Sequence, residues 1–191
     1  DNATTDPHNA TTYNVETEVK LTAPERAGYT FLGWTGSNGD TPETTVTIPV
    51  GTTGDKAYVA NWKANNQDWF VDVYYMNTEG KYNTAADESI KYTNTADTPV
   101  SFNSDDKLLA GFVFDAAESN LNGTVPGTGT LRLTAKYIRQ QYTVTYNFEN
   151  GAENKVVKTW YDADLEAVAN PTRTGYTFAG WVNSNGDKVT L

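Results

Sequence analysis

The residues most able to do chemistry in this sequence are its carboxylates. Asp and Glu together number 24, and they cluster at Asp105-Asp106, at Asp115 with Glu118, and across residues 162–166. A glycosidase needs two carboxylates that face each other across a cleft. The repeated modules described below are small and offer little concave surface, so solvated surface charge is the better interpretation of these clusters.

Metal binding and nucleophilic catalysis have few candidate residues. Asp105 and Asp106 follow Asn103-Ser104 and are weak calcium candidates, because calcium accepts carboxylate and amide oxygens as ligands. The only histidine, His8, lies in a polar terminal segment, and a Ser–His–Asp triad would have to use it. Walker-type and dinucleotide-binding glycine patterns are absent. We therefore predict no enzymatic activity, no catalytic residue and no cofactor.

Aromatic rings are the other side chains with a functional interpretation. The chain has 12 Tyr, 7 Phe and 5 Trp residues. A few large rings can build the core of a module that is too small for many aliphatic side chains. A sugar-stacking platform is the alternative role for such rings. Trp69 and Trp160 are the candidates for ligand contact, provided that they lie outside the core.

The composition excludes several classes of partner and chemistry. The net charge is −10 and no basic cluster occurs, so the sequence lacks the footprint of a nucleic-acid-binding protein. No apolar run approaches the roughly 18 residues that span a bilayer, and we predict no membrane insertion within this fragment. No signal peptide is visible, and the opening residues read as a cut within a longer protein. The absence of Cys excludes disulfides and thiolate chemistry.

An internal repeat organises the chain. The segment Gly28–Trp34 matches Gly175–Trp181 at six of seven positions, at an offset of 147 residues. At the same offset, Ser37–Asp40 recurs as Ser184–Asp187. Self-similarity at spaced positions of this kind is typical of tandem repeat proteins.

A more divergent copy lies in the middle of the chain, where Ala110–Phe114 resembles Ala27–Phe31 at an offset of 83 residues. Unequal offsets indicate loops of variable length around a persistent core pattern. Three modules follow, at residues 1–63, 64–139 and 140–191. We expect the first module to lack its first strand and the third to lack its closing strand.

The local pattern predicts short strands rather than helices. Tyr142, Val144, Tyr146 and Phe148 alternate along one face, and alternation of period two is typical of half-buried strands. In the second strand of the same module, residues 155–161, Val157 and Trp160 are the candidate inward positions, and residues 57–62 and 131–137 predict closing strands in the first two modules.

The Gly28–Trp34 segment carries bulky side chains on both strand faces. We therefore predict a central strand there, or a break in the alternation at Gly33. Asn38-Gly39 and Asn185-Gly186 predict hairpins of type I′. The rings of the segment are interpreted as core.

The spaced elements resemble a known family. The segments Gly28–Trp34, Gly175–Trp181, Pro171–Gly175 and Tyr58–Trp62, with the pre-strand segment Asn9–Glu18, are similar to the Listeria–Bacteroides repeat, also called the internalin-type B repeat. The middle module departs from the pattern and lacks the Gly-Trp pair. Its opening residues 73–75, residues 80–82 and its closing strand at residues 133–137 resemble a mucin-binding-protein-like module instead.

The resemblance implies a fold class and a context. The fold is expected to be mainly β, with α+β as the alternative, built from small β-grasp-like modules in an elongated arrangement. The family carries no catalytic residues, and its modules are strung along cell-wall-anchored or secreted adhesins. We therefore expect an extracellular, bacterial cell-surface or cell-wall-anchored protein.

Three functions remain open at this level. The first is a stalk or spacer of an adhesin, because each repeat mainly contacts its neighbours. The second is direct binding of a host cell-surface glycan, mucin or protein by the modules, and the third is an accessory region of a secreted enzyme. Between the modules, the polar segment Lys63–Asp68 predicts a hinge, and Arg139–Gln141 predicts a more rigid connection.

Overall fold

A computed structural model describes residues 9–190 of the chain. Within this range the chain forms fifteen β-strands and one short 3-10 helix, Ser104–Lys107, and no α-helix. The prediction of a mainly β fold is confirmed, as expected for a chain rich in Thr, Tyr and Val. The β-grasp-like topology and the elongated arrangement stay predictions.

The N-terminal third contains five short antiparallel strands in two sheets. They are β1 Val19–Leu21, β2 Tyr29–Gly36, β3 Gly39–Glu43, β4 Val46–Ile48 and β5 Tyr58–Ala64. β1 pairs with β4, and β2 lies between β3 and β5. The repeated segment is therefore the central strand of its sheet, as its bulk on both faces predicted.

The alternation of β2 breaks at the predicted position. The pairing of β2 with β5 shifts register between Phe31 and Gly33. This bulge brings Phe31 and Trp34 together, with ring centroids 5.4 Å apart, although strict alternation had placed them on opposite faces. Trp62 of β5 lies on the same Phe31 ring, also at 5.4 Å. The three half-buried rings form the interior of this small sheet.

The hairpin after β2 is present, but its turn differs from the prediction. Gly36 pairs with Gly39, so Ser37 and Asn38 form the turn. The positive φ angles fall on the two glycines, at 122° and 111°. The prediction of a type I′ turn centred on Asn38-Gly39 is therefore wrong. The side chain of Asn38 donates to the Trp34 carbonyl at 2.8 Å, which closes the turn from within.

The middle of the chain contains six strands. They are β6 Asn66–Tyr75, β7 Glu88–Thr95, β8 Pro99–Ser101, β9 Phe112–Phe114, β10 Asn122–Thr124 and β11 Arg132–Arg139. One sheet has the order β7-β6-β11-β9, and β8 pairs with β10. Period-two burial is clear in β11, where Leu133, Ala135 and Tyr137 are each fully buried. Burial of a side chain as large as Leu133 stabilises the fold by about 1.5–3 kcal/mol.

Aromatic stacking fills the centre of this sheet. Tyr137 stacks on Tyr75 with centroids 5.2 Å apart, and Phe112 meets Tyr75 edge-on, also at 5.2 Å. Both phenols are satisfied, because the Tyr75 hydroxyl donates to the Lys107 carbonyl and the Tyr137 hydroxyl to the Ser104 carbonyl, each at 2.6 Å. The 3-10 helix therefore caps the ring stack with its carbonyl groups.

The C-terminal third contains four strands in two hairpins. They are β12 Gln141–Tyr146, β13 Lys155–Trp160, β14 Trp181–Val182 and β15 Lys188–Val189. β12 pairs with β13, where Val157 is half-buried as predicted, and β14 pairs with β15. The ring pair Phe178–Trp181 repeats the geometry of Phe31–Trp34, again at 5.4 Å.

The described residues form two compact units. One comprises residues up to Val71, with Ser89–Phe102 and Leu121–Leu133, and the other comprises Asp72–Glu88, Asn103–Asn120 and the residues from Thr134 onward. β6 and β11 are thus each divided between the units. The three-module division of the sequence stays a prediction beside this grouping.

Candidate functional site

Trp69 and Trp160, the predicted ligand-contacting rings, both lie against other residues. Trp69 is only 4% exposed, stacks on Tyr92 at 4.6 Å, and donates its indole N–H to Asn94 at 2.9 Å. Trp160 is half-buried, and a Cβ added to Gly80 would lie 2.7 Å from its ring. The condition attached to ligand contact, a ring outside the core, is not met at Trp69.

Asp105 and Asp106, the weak calcium candidates, lie in the 3-10 helix. The Asn103 side chain caps this helix by accepting from the Asp105 backbone N–H at 3.1 Å, and its amide donates to the Asp106 carboxylate at 3.3 Å. Within residues 9–190, no three His, Cys, Asp or Glu side chains converge to form a metal site. Calcium binding here stays a prediction, and His8 lies outside the described residues.

A turn of one geometry recurs three times along the chain, and we call it the docking turn. It comprises residues 26–29, 109–112 and 173–176. In each turn the fourth N–H donates to the first carbonyl, at 3.1, 3.2 and 3.0 Å. The third residue is glycine at φ 77°, 78° and 79°. These are the features of a type II turn, which needs glycine at that position.

One residue, Asn65, bridges the first docking turn to Ala96, which the predicted division assigns to the middle module. The Asn65 N–H donates to the Gly28 carbonyl at 2.8 Å, and the Asn65 carbonyl accepts from the Ala96 N–H at 3.0 Å. Asn65 is the single residue between β5 and β6. The predicted hinge at Lys63–Asp68 is therefore corrected, since strand pairing continues almost through the whole segment.

We call this contact between the docking turn, Asn65 and the Ala96 segment the first junction. Side chains also contribute to it. A Cβ on Gly28 would collide with Gly127 and would lie 2.8 Å from the Cβ of Ala96. The Asp97 carboxylate accepts from Arg26 at 3.2 Å and from the Tyr29 hydroxyl at 2.8 Å. The Asp97 hydrogen bond raises the pKa of Tyr29, with a smaller contribution from burial. The first junction is thus ionic.

The second docking turn makes the same backbone bridge to Tyr161, which the predicted division assigns to the third module. The Gln140 N–H donates to the Gly111 carbonyl and the Gln140 carbonyl accepts from the Tyr161 N–H, both at 2.8 Å. The residue after each contacted N–H has positive φ, 62° at Asp97 and 59° at Asp162. The two junctions therefore share a backbone geometry, which the sequence offsets had not indicated.

Aromatic side chains close the second junction. The Tyr161 ring lies directly over Gly111, where any Cβ would collide with it. Phe112 meets Tyr161 edge-on at 6.5 Å, and Arg139 lies over the Phe112 ring at 4.7 Å. Arg139 also donates to the carbonyls of Met76 and Tyr161, at 2.9 and 2.8 Å. This predicted rigid connection consists of direct contacts rather than a free linker.

A polar groove in the middle module is the second candidate site. Its volume is about 530 Å³, and its lining residues include Tyr74, Tyr82, Glu118 and Lys136. The Lys136 ammonium lies 5.9 Å from the Tyr74 ring centroid and 4.9 Å from that of Tyr82, and pairs with Glu118 at 3.3 Å. Sequence reasoning missed this groove, because its residues come from three separate segments.

One buried carboxylate, Asp115, anchors two residues that line this groove, Tyr82 and Glu118. Asp115 is 7% exposed and accepts from the Tyr82 hydroxyl at 2.8 Å and from the Glu118 N–H at 3.2 Å. Burial, together with the Asp115 hydrogen bond, raises the pKa of Tyr82 well above its usual range. Tyr82 therefore stays a neutral hydrogen-bond donor at physiological pH.

Two family models match segments at the two ends of the chain. The Listeria-Bacteroides repeat domain matches residues 142–190, and the divergent InlB B-repeat domain matches residues 2–66. Each of these two segments is thus similar to a repeat of the internalin type. The predicted resemblance is confirmed for them, whereas the mucin-binding-protein-like assignment of the middle module stays a prediction.

Relatives of the repeat region are distant. Over 168 residues, the chain is 23% identical to a protein described as a Gly-rich membrane protein of Evansella cellulosilytica. The match covers 81% of this chain and 18% of that protein, so the chain spans about a fifth of the relative's length. No solved structure gives a significant match.

These repeats are typical of bacterial surface proteins. The repeat families carry no catalytic function in general, and they supply no catalytic residue to transfer onto this chain. Residues 9–190 contain no helix whose length and apolar character would allow it to cross a membrane.

Proposed function

We propose that this repeat region is a non-catalytic stalk or spacer of a bacterial surface adhesin, anchored to the cell wall or secreted. The repeated junction carries the proposal. Asn65 and Gln140 each bridge a docking turn to the next module through two backbone hydrogen bonds. A spacer must transmit position from one module to the next, and direct module-to-module contacts suit that task better than free linkers.

The three-module division is part of this proposal. The family matches end at residue 66 and begin at residue 142, close to the proposed boundaries. Each bridging residue lies at such a boundary. The modules are then repeating mechanical elements, and the junctions are the contacts on which the spacer depends.

Spin-label distances within each junction test the proposal. The chain has no native Cys, so pairs can be introduced at exposed sites, Thr53 with Thr128 across the first junction and Thr84 with Glu153 across the second. Coupled modules should give one narrow distance distribution for each pair. Broad distributions at both junctions would contradict the spacer function.

The polar groove supports a second candidate function, direct binding of a host glycan, mucin or protein by the middle module. Two tyrosine rings beside Lys136 and Glu118 combine a stacking surface with charged hydrogen-bonding groups. A screen of immobilised glycans and mucin should then give a signal that Tyr74→Ala abolishes. Tyr142→Ala is the matched control, because Tyr142 is 47% exposed and lies outside the groove.

A further inference from the structure

The third docking turn has the geometry of the other two, but among the described residues no segment covers its glycine. Gly175 has φ 79°, and a Cβ built there would meet no atom within 4 Å. Tyr176 is 68% exposed. At the first and second turns, the equivalent glycine positions are covered by the next module. The third turn is thus an open copy of a contact that the chain makes twice.

Its side chains match the ionic junction rather than the aromatic one. Arg173 lies over the Tyr176 ring at 4.2 Å, as Arg26 lies over Tyr29 at 3.6 Å. Arg173 donates to the Glu149 carbonyl at 3.0 Å, which holds its side chain in place. Within residues 9–190, neither Arg173 nor Tyr176 has a carboxylate partner, whereas the first turn binds Asp97.

We infer that Arg173, Gly175 and Tyr176 form the docking surface for a further repeat module, joined in series and carrying a small residue followed by Asp at positive φ. Charge complementarity selects this occupant, since a guanidinium and a phenol that converge on one carboxylate already recognise Asp97. The small residue is required because Ala96 packs directly against Gly28. This inference rests on the proposed function, because it assumes that the junctions are the contacts on which the spacer depends.

A chain extended after Leu191 by a second copy of residues 45–139 provides the test. The added copy supplies a closing strand, a bridging Asn and the Ala-Asp turn to the third docking turn. Hydrogen exchange should show the added bridging amide protected to the same degree as the native Asn65 amide. Arg173→Ala should accelerate exchange at the added bridge about fivefold, the factor expected for one net hydrogen bond, and should leave the native Asn65 amide unchanged.

Chemical modification of Tyr176 gives a readout that does not depend on the variant. Tetranitromethane should nitrate Tyr176 in the original chain and several-fold more slowly in the extended chain. An unprotected added bridge beside a protected Asn65 amide would overturn this inference alone. Fast exchange at both Asn65 and Gln140 would instead overturn the proposed function. Concentration-dependent protection of Tyr176 in the original chain would identify a second copy as the occupant and also overturn the inference.

Discussion

Replacing Gly28 with Ala should destabilise the first junction more than any matched substitution at an open docking turn. The methyl group would meet Gly127 and the Ala96 Cβ, 2.8 Å away. Overpacking of this kind costs about 1–3 kcal/mol. A left-handed conformation adds about 1–2 kcal/mol for an L-residue. Loss of unfolded-state freedom offsets about 0.4–1 kcal/mol.

The expected net loss of unfolding free energy is therefore about 1–4.5 kcal/mol for Gly28→Ala. Gly175→Ala is the matched control, because Gly175 has nearly the same φ, 79° against 77°, and open space around it. Gly175→Ala loses only the conformational contribution, about 1 kcal/mol after the unfolded-state offset. The difference between the two variants isolates the contact with the middle module.

Urea unfolding followed by tryptophan fluorescence measures both losses, and hydrogen exchange locates them. In Gly28→Ala the Asn65 amide should exchange roughly five- to 150-fold faster, the factor for about 1–3 kcal/mol of local opening. Equal losses in the two variants would refute the reasoning, since the junction contact would then contribute nothing. Unchanged exchange at Asn65 would lead to the same conclusion.

Three further substitutions or conditions test the interior. Burial raises the pKa of Tyr137 from 10.0 to about 12. The neutral phenol therefore stabilises the fold fully below pH 10.0, and this stabilisation is lost as the pH rises to about 12. The urea midpoint should fall across this range, and it should fall less in Tyr137→Phe. Trp69→Phe should cost about 1–3 kcal/mol in urea unfolding, because the Asn94 side chain loses its donor. Tyr82→Phe should cost about 1–3 kcal/mol by the same assay, because the buried Asp115 carboxylate loses a donor.

Each of these has a contradicting outcome. A urea midpoint that stays constant between pH 10 and 12 would show that the Tyr137 phenol is not protected by the fold. Wild-type stability of Trp69→Phe would show that the Asn94 contact is replaced by water. If Tyr82→Phe is neutral, the Asp115 carboxylate has an equivalent donor.

Much of the fold could be predicted, because it depends on local and periodic signals. The alternation along β11 and β13, the central position of the Gly28–Trp34 strand and its break at Gly33 all follow from side-chain spacing along one strand. The pairing of Phe31 with Trp34 did not follow, since the bulge reverses the face of every residue after it. A one-residue shift in pairing likewise moved the turn of the first hairpin to Ser37 and Asn38.

The candidate sites could not be predicted in the same way, because they depend on contacts between distant segments. Asn65 and Gln140 have unremarkable side chains, and their role belongs to the backbone. The groove around Tyr82 and Lys136 forms only when three segments meet. One usable signal was present: Arg26 and Tyr29 recur at the repeat offset as Arg173 and Tyr176, which pattern matching interpreted as part of a core strand.

The two junctions join modules through one backbone geometry but through different side chains, ionic at Asp97 and aromatic at Tyr161. The backbone bridge is indifferent to sequence, so any repeat could be attached by it. The side chains are selective, and each docking turn accepts only one type of following turn. Recombination that moved a module from the ionic junction to the aromatic one would therefore preserve the backbone bridge but mismatch the side chains. The side-chain pairs that close each junction therefore restrict which repeat can follow which.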